Sequence, residues 1–383
     1  MTSAIPSLPL AARYRAEFPV FRRSTYLNSC SLGALSLRSR KRVTGYLDLW
    51  EARGAAAWYD VWLPACQELR AAYARLIRAG PEDIALHPSV SSGVASVASS
   101  LDYRRRPRIV TTSLDFPTVA YQWLGRAAEG VEVEIVESPD GISVPTDLMA
   151  KAINDRTALV ATSHVFFTSG AIQDVGRLAD ICHSRGVLLL VDGYQAAGQL
   201  PVDAPALGVD FYCAGGLKWL LGGSGIAFLY ANQDRTAHLQ PRVTGWFGHS
   251  RPFEFDPRRL ELRSDGRRFE TGTPAMASVH AQLGGLEMIQ EIGQAAIRSA
   301  TMALTEDLIE RAREAGLRPK VASRSEERSA IVMIPSQDPA RHVARLAAAG
   351  IVTDARPGHV RISPYFYNVR DDHLAALEEL TRD

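Results

Sequence analysis

The sequence has few cysteines and no long apolar run. Its four cysteines among 383 residues form no C-x-x-C pair, which argues against a disulfide framework and a cysteine-built metal site. No apolar run approaches the roughly 18 residues that a membrane helix requires. The start, MTSAIPSLPLAARYRAEFPVF, is interrupted by Pro and Arg, unlike a signal peptide. These absences predict a cytoplasmic protein with no metal site and no membrane partner.

The sequence also lacks an excess of charge of either sign. Lys and Arg together number 43, and Asp and Glu number 42. This balance gives no electrostatic reason to expect nucleic acid or an anionic membrane as partner, so we expect a small molecule. A chain of 383 residues has room for two domains.

The middle of the chain, from about residue 107 to 231, alternates short β-branched or apolar runs with amphipathic stretches. This alternation is typical of a parallel sheet with helices on its faces, and buried strands read as continuous apolar runs. The sequence therefore predicts one large α/β domain here. Its predicted strands are RIVTTS, EVEIVES, TALVATSHV, VLLLVD, FYCAGG and GIAFLYA.

The flanking segments carry other patterns. Residues 34–53 and 60–79 favour helices, and the Pro-, Gly- and charge-rich stretch 241–275 favours a long loop. A long helix is predicted over 276–315. The tail combines strands (SAIVMI, IVTDA, HVRIS) with helices (DPARHVARLAAAG, DDHLAALEEL), which predicts a small α+β domain.

The pair that carries chemistry is Asp192 and Lys218. Asp192 ends the apolar run VLLLV, and Lys218 follows 26 residues later, just past the next predicted strand. Ligands in open α/β sheets bind at the carboxyl ends of strands, so both side chains are expected at one crevice. A desolvated lysine can form an imine, and a carboxylate can keep a pyridine nitrogen protonated. A capping Asp and a surface Lys are the alternative reading. The order and setting of the pair favour pyridoxal 5'-phosphate (PLP) as cofactor.

From YLNSCSLG to VRISPYFYN the sequence resembles the class V aminotransferase family of fold type I PLP-dependent enzymes, which includes cysteine desulfurase, kynureninase and isopenicillin N epimerase. The resemblance implies a large α/β domain with a mostly parallel central sheet flanked by helices, and a small C-terminal α+β domain. The expected boundaries are 1–30 for an N-terminal segment reaching the active site, 31–275 for the PLP-binding domain, and 276–383 for a linking helix and the small domain.

The family motifs assign roles to individual residues. The resemblance implies that Lys218 is the catalytic Schiff-base lysine and that Asp192 contacts the pyridine nitrogen. Gln195, in VDGYQAAG, matches the residue that contacts the ring oxygen of the cofactor.

Further cofactor contacts are expected upstream and downstream. Ser91, Ser92 and Gly93 begin an apolar-periodic stretch, where backbone N–H groups and hydroxyls suit a phosphate, although serines also serve as ordinary caps. Phe116 matches the residue that stacks on the cofactor ring; by itself it would more often belong to a core. Thr273, in RFETGTP, matches a phosphate-binding stretch from a neighbouring subunit, which implies a homodimer with a shared active site.

Substrate contacts are expected from both ends of the chain. Arg361 matches the arginine that binds a substrate α-carboxylate through two parallel hydrogen bonds, so a small α-amino acid is the expected substrate. Cys30 lies in the segment that approaches the site in relatives, as a reactive thiol or as inert packing. His164 is expected near the cofactor crevice or as a satisfied histidine. Trp246 and His249, in GWFGH, resemble kynureninase and are expected near the cofactor and the substrate.

Cofactor residues alone do not select the reaction. The leading hypothesis is a lyase acting at Cβ, by β-elimination, C–S cleavage or kynureninase-like cleavage, and a transaminase is the first alternative. PKVASRSEERSAIVMI lacks the cysteine of persulfide-forming desulfurases, and Leu217 and Gln195 replace the Tyr and His of kynureninases. A desulfurase-like enzyme or an epimerase remains a further alternative. The Gly216-Leu217 pair before Lys218 also motivates a catalytically degenerate PLP-binding protein.

Overall fold

A computed structural model describes residues 10–382, in which helices pack around a seven-stranded sheet, a three-stranded sheet and a two-stranded sheet. The first nine residues of the predicted N-terminal segment lie outside the described residues. The helices are α1 (Leu10–Tyr14), α2 (Leu37–Arg53), α3 (Leu63–Leu76), α4 (Val90–Ser100), α5 (Pro117–Leu124), α6 (Thr146–Ala152), α7 (Val175–Ser184), α8 (Gln233–Thr236), α9 (Met276–Ile292), α10 (Gln294–Glu314), α11 (Pro339–Ala348) and α12 (Arg370–Thr381). The strands are β1 (Thr25–Tyr26), β2 (Ile84–His87), β3 (Arg108–Thr112), β4 (Glu132–Val136), β5 (Thr157–Ser163), β6 (Leu188–Asp192), β7 (Phe211–Gly215), β8 (Ala227–Ala231), β9 (Val332–Pro335), β10 (Ile351–Val352), β11 (Asp354–Arg356) and β12 (His359–Ile362).

The large sheet has seven strands in the order β2-β8-β7-β6-β5-β3-β4. Five neighbouring strands pair in parallel, in the order β7-β6-β5-β3-β4. In contrast, β8 is antiparallel to both β7 and β2. A short Gly-rich loop joins β7 to β8 without a crossover helix, so the chain can only return antiparallel. The predicted α/β fold with a mostly parallel sheet is confirmed.

Two local predictions need correction. The sequence-based reading had no strand at Ile84–His87, yet these four buried residues form the sheet edge beside β8. The helix predicted over 276–315 is two helices, because Gly293 between α9 and α10 has a φ of +85°. A backbone in this left-handed region ends a helix, and glycine adopts it without strain.

The small sheet has the antiparallel order β11-β12-β9 and packs with the C-terminal helices around a core of its own. Leu27, which follows β1, is buried in this core, and β1 pairs in parallel with β10. The N-terminal segment is therefore tied to the C-terminal part of the chain. The domain boundaries given above stay a prediction. Among residues 10–382, no helix has the length and apolar character needed to cross a bilayer.

Candidate active site

A cavity of about 470 Å³, called the central cavity below, lies at the carboxyl ends of the parallel strands. Ser163 and Asp192 end β5 and β6 there, and the loop after β7 brings in Lys218. Parallel strands present their carboxyl ends at one sheet edge, which explains why residues far apart in sequence meet here. The cavity wall includes seven of the residues singled out from the sequence: Cys30, Ser91, Phe116, Asp192, Gln195, Lys218 and Arg361.

Lys218 is held in a tight turn between β7 and β8. Gly216 precedes it, and a Cβ at that position would overlap with the side chain of Gln282 on α9. The Nζ atom of Lys218 lies 4.4 Å from the ring centroid of Tyr194 and 6.0 Å from that of Phe116. Burial lowers the pKa of Lys218 to about 8, although the charge of Asp192 acts in the opposite direction. The amine therefore loses its proton more easily than a surface lysine does.

Asp192 is a buried carboxylate at the floor of the central cavity, with 5% of its surface exposed. Burial raises its pKa to about 6, while the backbone N–H of Tyr194, which donates to Oδ1 over 2.8 Å, and Lys218 lower it. The Asp192 side chain is thus ionised at neutral pH, although burial makes its charged form less favourable than it would be in water. Such a carboxylate is suited to a cationic partner that is brought in by a ligand.

Gln195 has a fixed amide orientation. The indole N–H of Trp219 can only donate, and it donates to Oε1 of Gln195 over 2.8 Å. The Nε2 group therefore faces the other way and donates to the backbone oxygen of Cys30 over 3.0 Å. This bond ties the N-terminal segment to the loop after β6. Since Nε2 carries two hydrogens, one donor remains for a ligand in the cavity.

The start of α4 forms another wall of the cavity. Ser89 caps the helix by accepting from the backbone N–H of Ser92, and the hydroxyls of Ser91 and Thr118 lie 3.2 Å apart at the cavity surface. Ser92 turns back to Ser89 and does not line the cavity, and the buried Gly93 backs onto the ring of His87. Helix N–H groups with two hydroxyls provide donors for an anion.

Asp115, a buried acid that was not recognised from the sequence, holds the loop that carries Phe116. Asp115 accepts from the hydroxyls of Thr111 and Thr112, and from the backbone N–H of Ser163 over 2.6 Å. Burial raises the pKa of Asp115, while these donors lower it. The network fixes the loop that carries the ring of Phe116, which is 46% exposed and faces the cavity. Its position directly before Phe116 was visible in the sequence, but its partners were not.

Arg361 lies in the cavity wall with only 1% of its surface exposed. Its Nη1 donates to the backbone oxygen of Phe167 over 3.3 Å, and its Nη2 to Asp354 over 2.5 Å. The buried Nε has no hydrogen-bond partner within residues 10–382. A second arginine, Arg356, also lines the cavity, and neither Arg356 nor Asp354 was recognised from the sequence.

The other residues singled out from the sequence lie outside the central cavity. His164 follows β5 directly, its Nδ1 lies 3.0 Å from the hydroxyl of Tyr212, and burial lowers its pKa to about 4. Trp246 and His249 border a separate, more open pocket in the loop before α9. Thr273 is exposed on the surface of the chain. The roles expected for these residues stay predictions.

Comparisons with known proteins identify the family that this chain resembles. The family model described as Aminotransferase class-V matches residues 61–372. An uncharacterised aminotransferase of Bacillus subtilis, YcbU, is 33% identical over 371 residues, which cover 97% of each chain. A kynureninase of Deinococcus radiodurans is 30% identical over 333 residues, which cover 81% of this chain and 78% of that protein.

Among solved structures, the apo cysteine desulfurase of Thermococcus onnurineus superimposes with a TM-score of 0.87. The match covers 99% of this chain and 98% of that chain at 22% identity. At this identity the likeness shows a shared fold, and the expected fold type I architecture is confirmed.

Proposed function

The chain belongs to the class V aminotransferase family of PLP-dependent enzymes, and on that premise we propose that it is a lyase that breaks a bond at Cβ of a small α-amino acid. The observation that carries the proposal is the meeting of Lys218, Asp192 and Arg361 in one cavity. An amine, an anion and a guanidinium are the three groups needed to hold a cofactor aldehyde, its ring nitrogen and a substrate carboxylate.

The residues of the central cavity fit PLP. Lys218 would hold its aldehyde carbon, Asp192 its ring nitrogen, and the Phe116 ring one of its faces. The hydroxyls of Ser91 at the start of α4 and Thr118 at the start of α5 would hold the phosphate, and Nε2 of Gln195 the ring oxygen. When bound, PLP supplies an electron sink for negative charge at the substrate Cα.

The chain's own residues supply binding and proton transfer. Because burial lowers its pKa to about 8, a larger fraction of Nζ of Lys218 is unprotonated near neutral pH than in a surface lysine, and this form can accept the Cα proton of the substrate. Asp192, with a pKa of about 6, is ionised at that pH and would stabilise positive charge at the ring nitrogen of the bound cofactor. Arg361 orients the substrate carboxylate through its unpaired Nε. The aromatic and aliphatic walls formed by Phe116, Phe167 and Leu217 limit the access of water.

The choice of a lyase rests on sequence likeness. YLNSCSLG and GWFGH resemble kynureninase, and a kynureninase is among the relatives at 30% identity. A transaminase is the second candidate, because the 33% identical relative carries the name of an aminotransferase.

Two broader features belong to the same proposal. A homodimer with a shared site is supported by the exposed Thr273 and by exposed aromatic rings of the same loop region, Trp246, Phe253 and Phe255. A reducing cytoplasm is supported by the cysteines, which are all free and buried in the described part of the chain.

The test is a spectral and product assay. The purified protein is loaded with PLP, its absorption is recorded between roughly 300 and 500 nm, and a panel of amino acids is added while ammonia, pyruvate, alanine and keto acids are measured. A band shift with release of pyruvate or alanine supports a lyase acting at Cβ. Conversion to the pyridoxamine form establishes the transaminase instead. A protein that no amino acid alters spectrally contradicts both.

A further inference from the structure

Three charged side chains share one face of the hairpin formed by β11 and β12. Asp354 and Arg356 are two residues apart on β11, so their side chains point to the same side of the strand. Asp354 lies directly opposite Arg361 on β12 in the antiparallel register, which makes the two a cross-strand pair. Both arginines line the central cavity.

Asp354 connects the two arginines. Its Oδ2 accepts from Nη2 of Arg361 over 2.5 Å, and its Oδ1 accepts from Nη1 of Arg356 over 2.7 Å. The side chains of Asp354, Arg356 and Arg361 are 18%, 26% and 1% exposed, so solvent screens the group only in part. Two guanidinium cations and one carboxylate leave one net positive charge in this wall.

One buried nitrogen atom of this group has no hydrogen-bond partner in the described part of the chain. Within the described residues, 10–382, the buried Nε of Arg361 has no acceptor. An unpaired buried donor of this kind is costly unless a ligand supplies the acceptor. A single carboxylate at Nε would satisfy this donor and cancel the net charge of the wall.

We propose that Asp354 is a specificity-determining residue. Its carboxylate lies between Arg356 and Arg361, where a second carboxylate of a substrate would otherwise bind. The substrates selected are α-amino acids with one carboxylate and an uncharged side chain, and amino acids with acidic side chains are disfavoured. The inference rests on the proposed function, in which Arg361 binds the α-carboxylate. It goes further by assigning a substrate class.

The physical basis is repulsion between like charges in a poorly solvated cavity. A second substrate carboxylate that approached Arg356 would meet Asp354, which already accepts from that guanidinium. Like charges brought together at a recognition site lower affinity, whereas an uncharged amide of the same shape avoids this repulsion. Asp354 thus acts against acidic side chains without contacting the reacting atoms.

The test compares two ligands that differ only in this charge. N-phosphopyridoxyl-L-aspartate and N-phosphopyridoxyl-L-asparagine are titrated onto the full-length chain freed of its cofactor, with dissociation constants read from fluorescence. Wild type is expected to bind the asparagine conjugate at least about tenfold more tightly. Asp354→Asn is expected to reduce this ratio by about tenfold or more. A ratio is used because any loss of Arg361 positioning affects both ligands alike.

Asp102→Asn is the matched control. Asp102 also pairs with an arginine two residues later, Arg104, over 2.8 Å, but Arg104, unlike Arg356, does not line the central cavity. This variant is expected to keep the wild-type ratio. Restoration of the holoenzyme spectrum by PLP verifies that each variant folds.

The outcomes separate the inference from the proposed function. Equal binding of both conjugates by wild type overturns the inference even if Asp354→Asn fails to fold, and so does an unchanged ratio in a folded variant. If wild type binds PLP but neither conjugate, the role of Arg361 and the amino-acid substrate are overturned as well.

Discussion

Lys218 and Asp192 lie in the same cavity, and burial shifts the pKa of each toward its neutral form, to about 8 and about 6. A lysine at the surface would hold its proton throughout the neutral range. In this chain the pKa of the amine is about 8 and not the usual 10.5, so the nucleophilic free amine is available at a lower pH. The site is therefore prepared for imine formation before any cofactor arrives.

This shift predicts the pH dependence of cofactor capture. The rate at which cofactor-free protein captures PLP is expected to rise with pH around a midpoint of about 8, because the free amine dominates above the lowered pKa of Lys218. Stopped-flow absorption measures the rate, and an Nα-acetyl-lysine solution serves as the reference amine. A midpoint near that of the free amine would contradict the burial of Lys218.

Arg361 offers a second test at the residue scale. Arg361→Lys keeps the charge but removes the planar guanidinium and its Nε donor, so the KM for the amino acid is expected to rise roughly tenfold to a hundredfold. Steady-state kinetics measures KM and kcat separately. Arg341→Lys, at an exposed position of α11, is the control that should leave both unchanged. A KM unaffected by Arg361→Lys would remove Arg361 from substrate binding.

At the scale of elements, the chain between β1 and α2 passes very close to the loop that carries Lys218. The backbone N–H of Gly33 donates to the oxygen of Leu217 over 2.7 Å, and a Cβ at Gly33 would overlap with the backbone oxygen of Lys218. The two segments must therefore shift apart if residue 33 gains a side chain.

Gly33→Ala is expected to lower kcat/KM at least about tenfold, because a misplaced reactive group loses catalytic efficiency steeply. Gly45→Ala, in α2, is the matched control, since nothing lies within 4 Å of the added Cβ. That control is expected to keep activity and to stabilise the helix by up to about 1 kcal/mol, as thermal unfolding will show. Full activity of Gly33→Ala would disprove the close approach as a functional constraint.

The sequence predicted the central strands well, but it did not predict strand β2 or the break between α9 and α10. All six strands expected between residues 107 and 231 are present, because buried strands consist of apolar runs. Strand β2 was missed because the apolar run IALH is only four residues long. Gly293 was not recognised as a break, because glycine occurs both inside helices and at their ends.

The site residues that lie within recognisable sequence motifs could be predicted. Lys218, Asp192, Gln195 and Phe116 all line the central cavity, as expected for residues at strand ends and in turns. Asp354 was missed because its role depends on the register between β11 and β12, which places it opposite Arg361. Hairpin register follows from turn geometry and side-chain packing that the sequence pattern alone did not show.

At the scale of the whole molecule, the proposed homodimer requires two chains to share each active site. Thr273 is exposed on its own chain and lies outside that chain's central cavity. If it completes the site of a neighbour, a defect at Lys218 and a defect at Thr273 should complement each other in a mixed dimer.

Lys218→Ala and Thr273→Ala are each expected to be inactive alone, and a mixture of the two that is unfolded and refolded together is expected to restore roughly a quarter of wild-type activity. Half of the dimers are then mixed, and each mixed dimer has one intact site of two. Each variant refolded alone is the control and should stay inactive. No recovery in a mixture that forms mixed dimers would contradict a shared site.

The covalent link between Lys218 and PLP is the central claim, and borohydride reduction tests it most directly. The reduced holoenzyme is digested, and mass spectrometry locates the phosphopyridoxyl group among the four lysines of the chain, Lys41, Lys151, Lys218 and Lys320. The account predicts that the group is found on the peptide containing Lys218 and is absent from the Lys218→Ala protein. A label on another lysine, or a PLP-loaded protein that reduction leaves unlabelled, would contradict it.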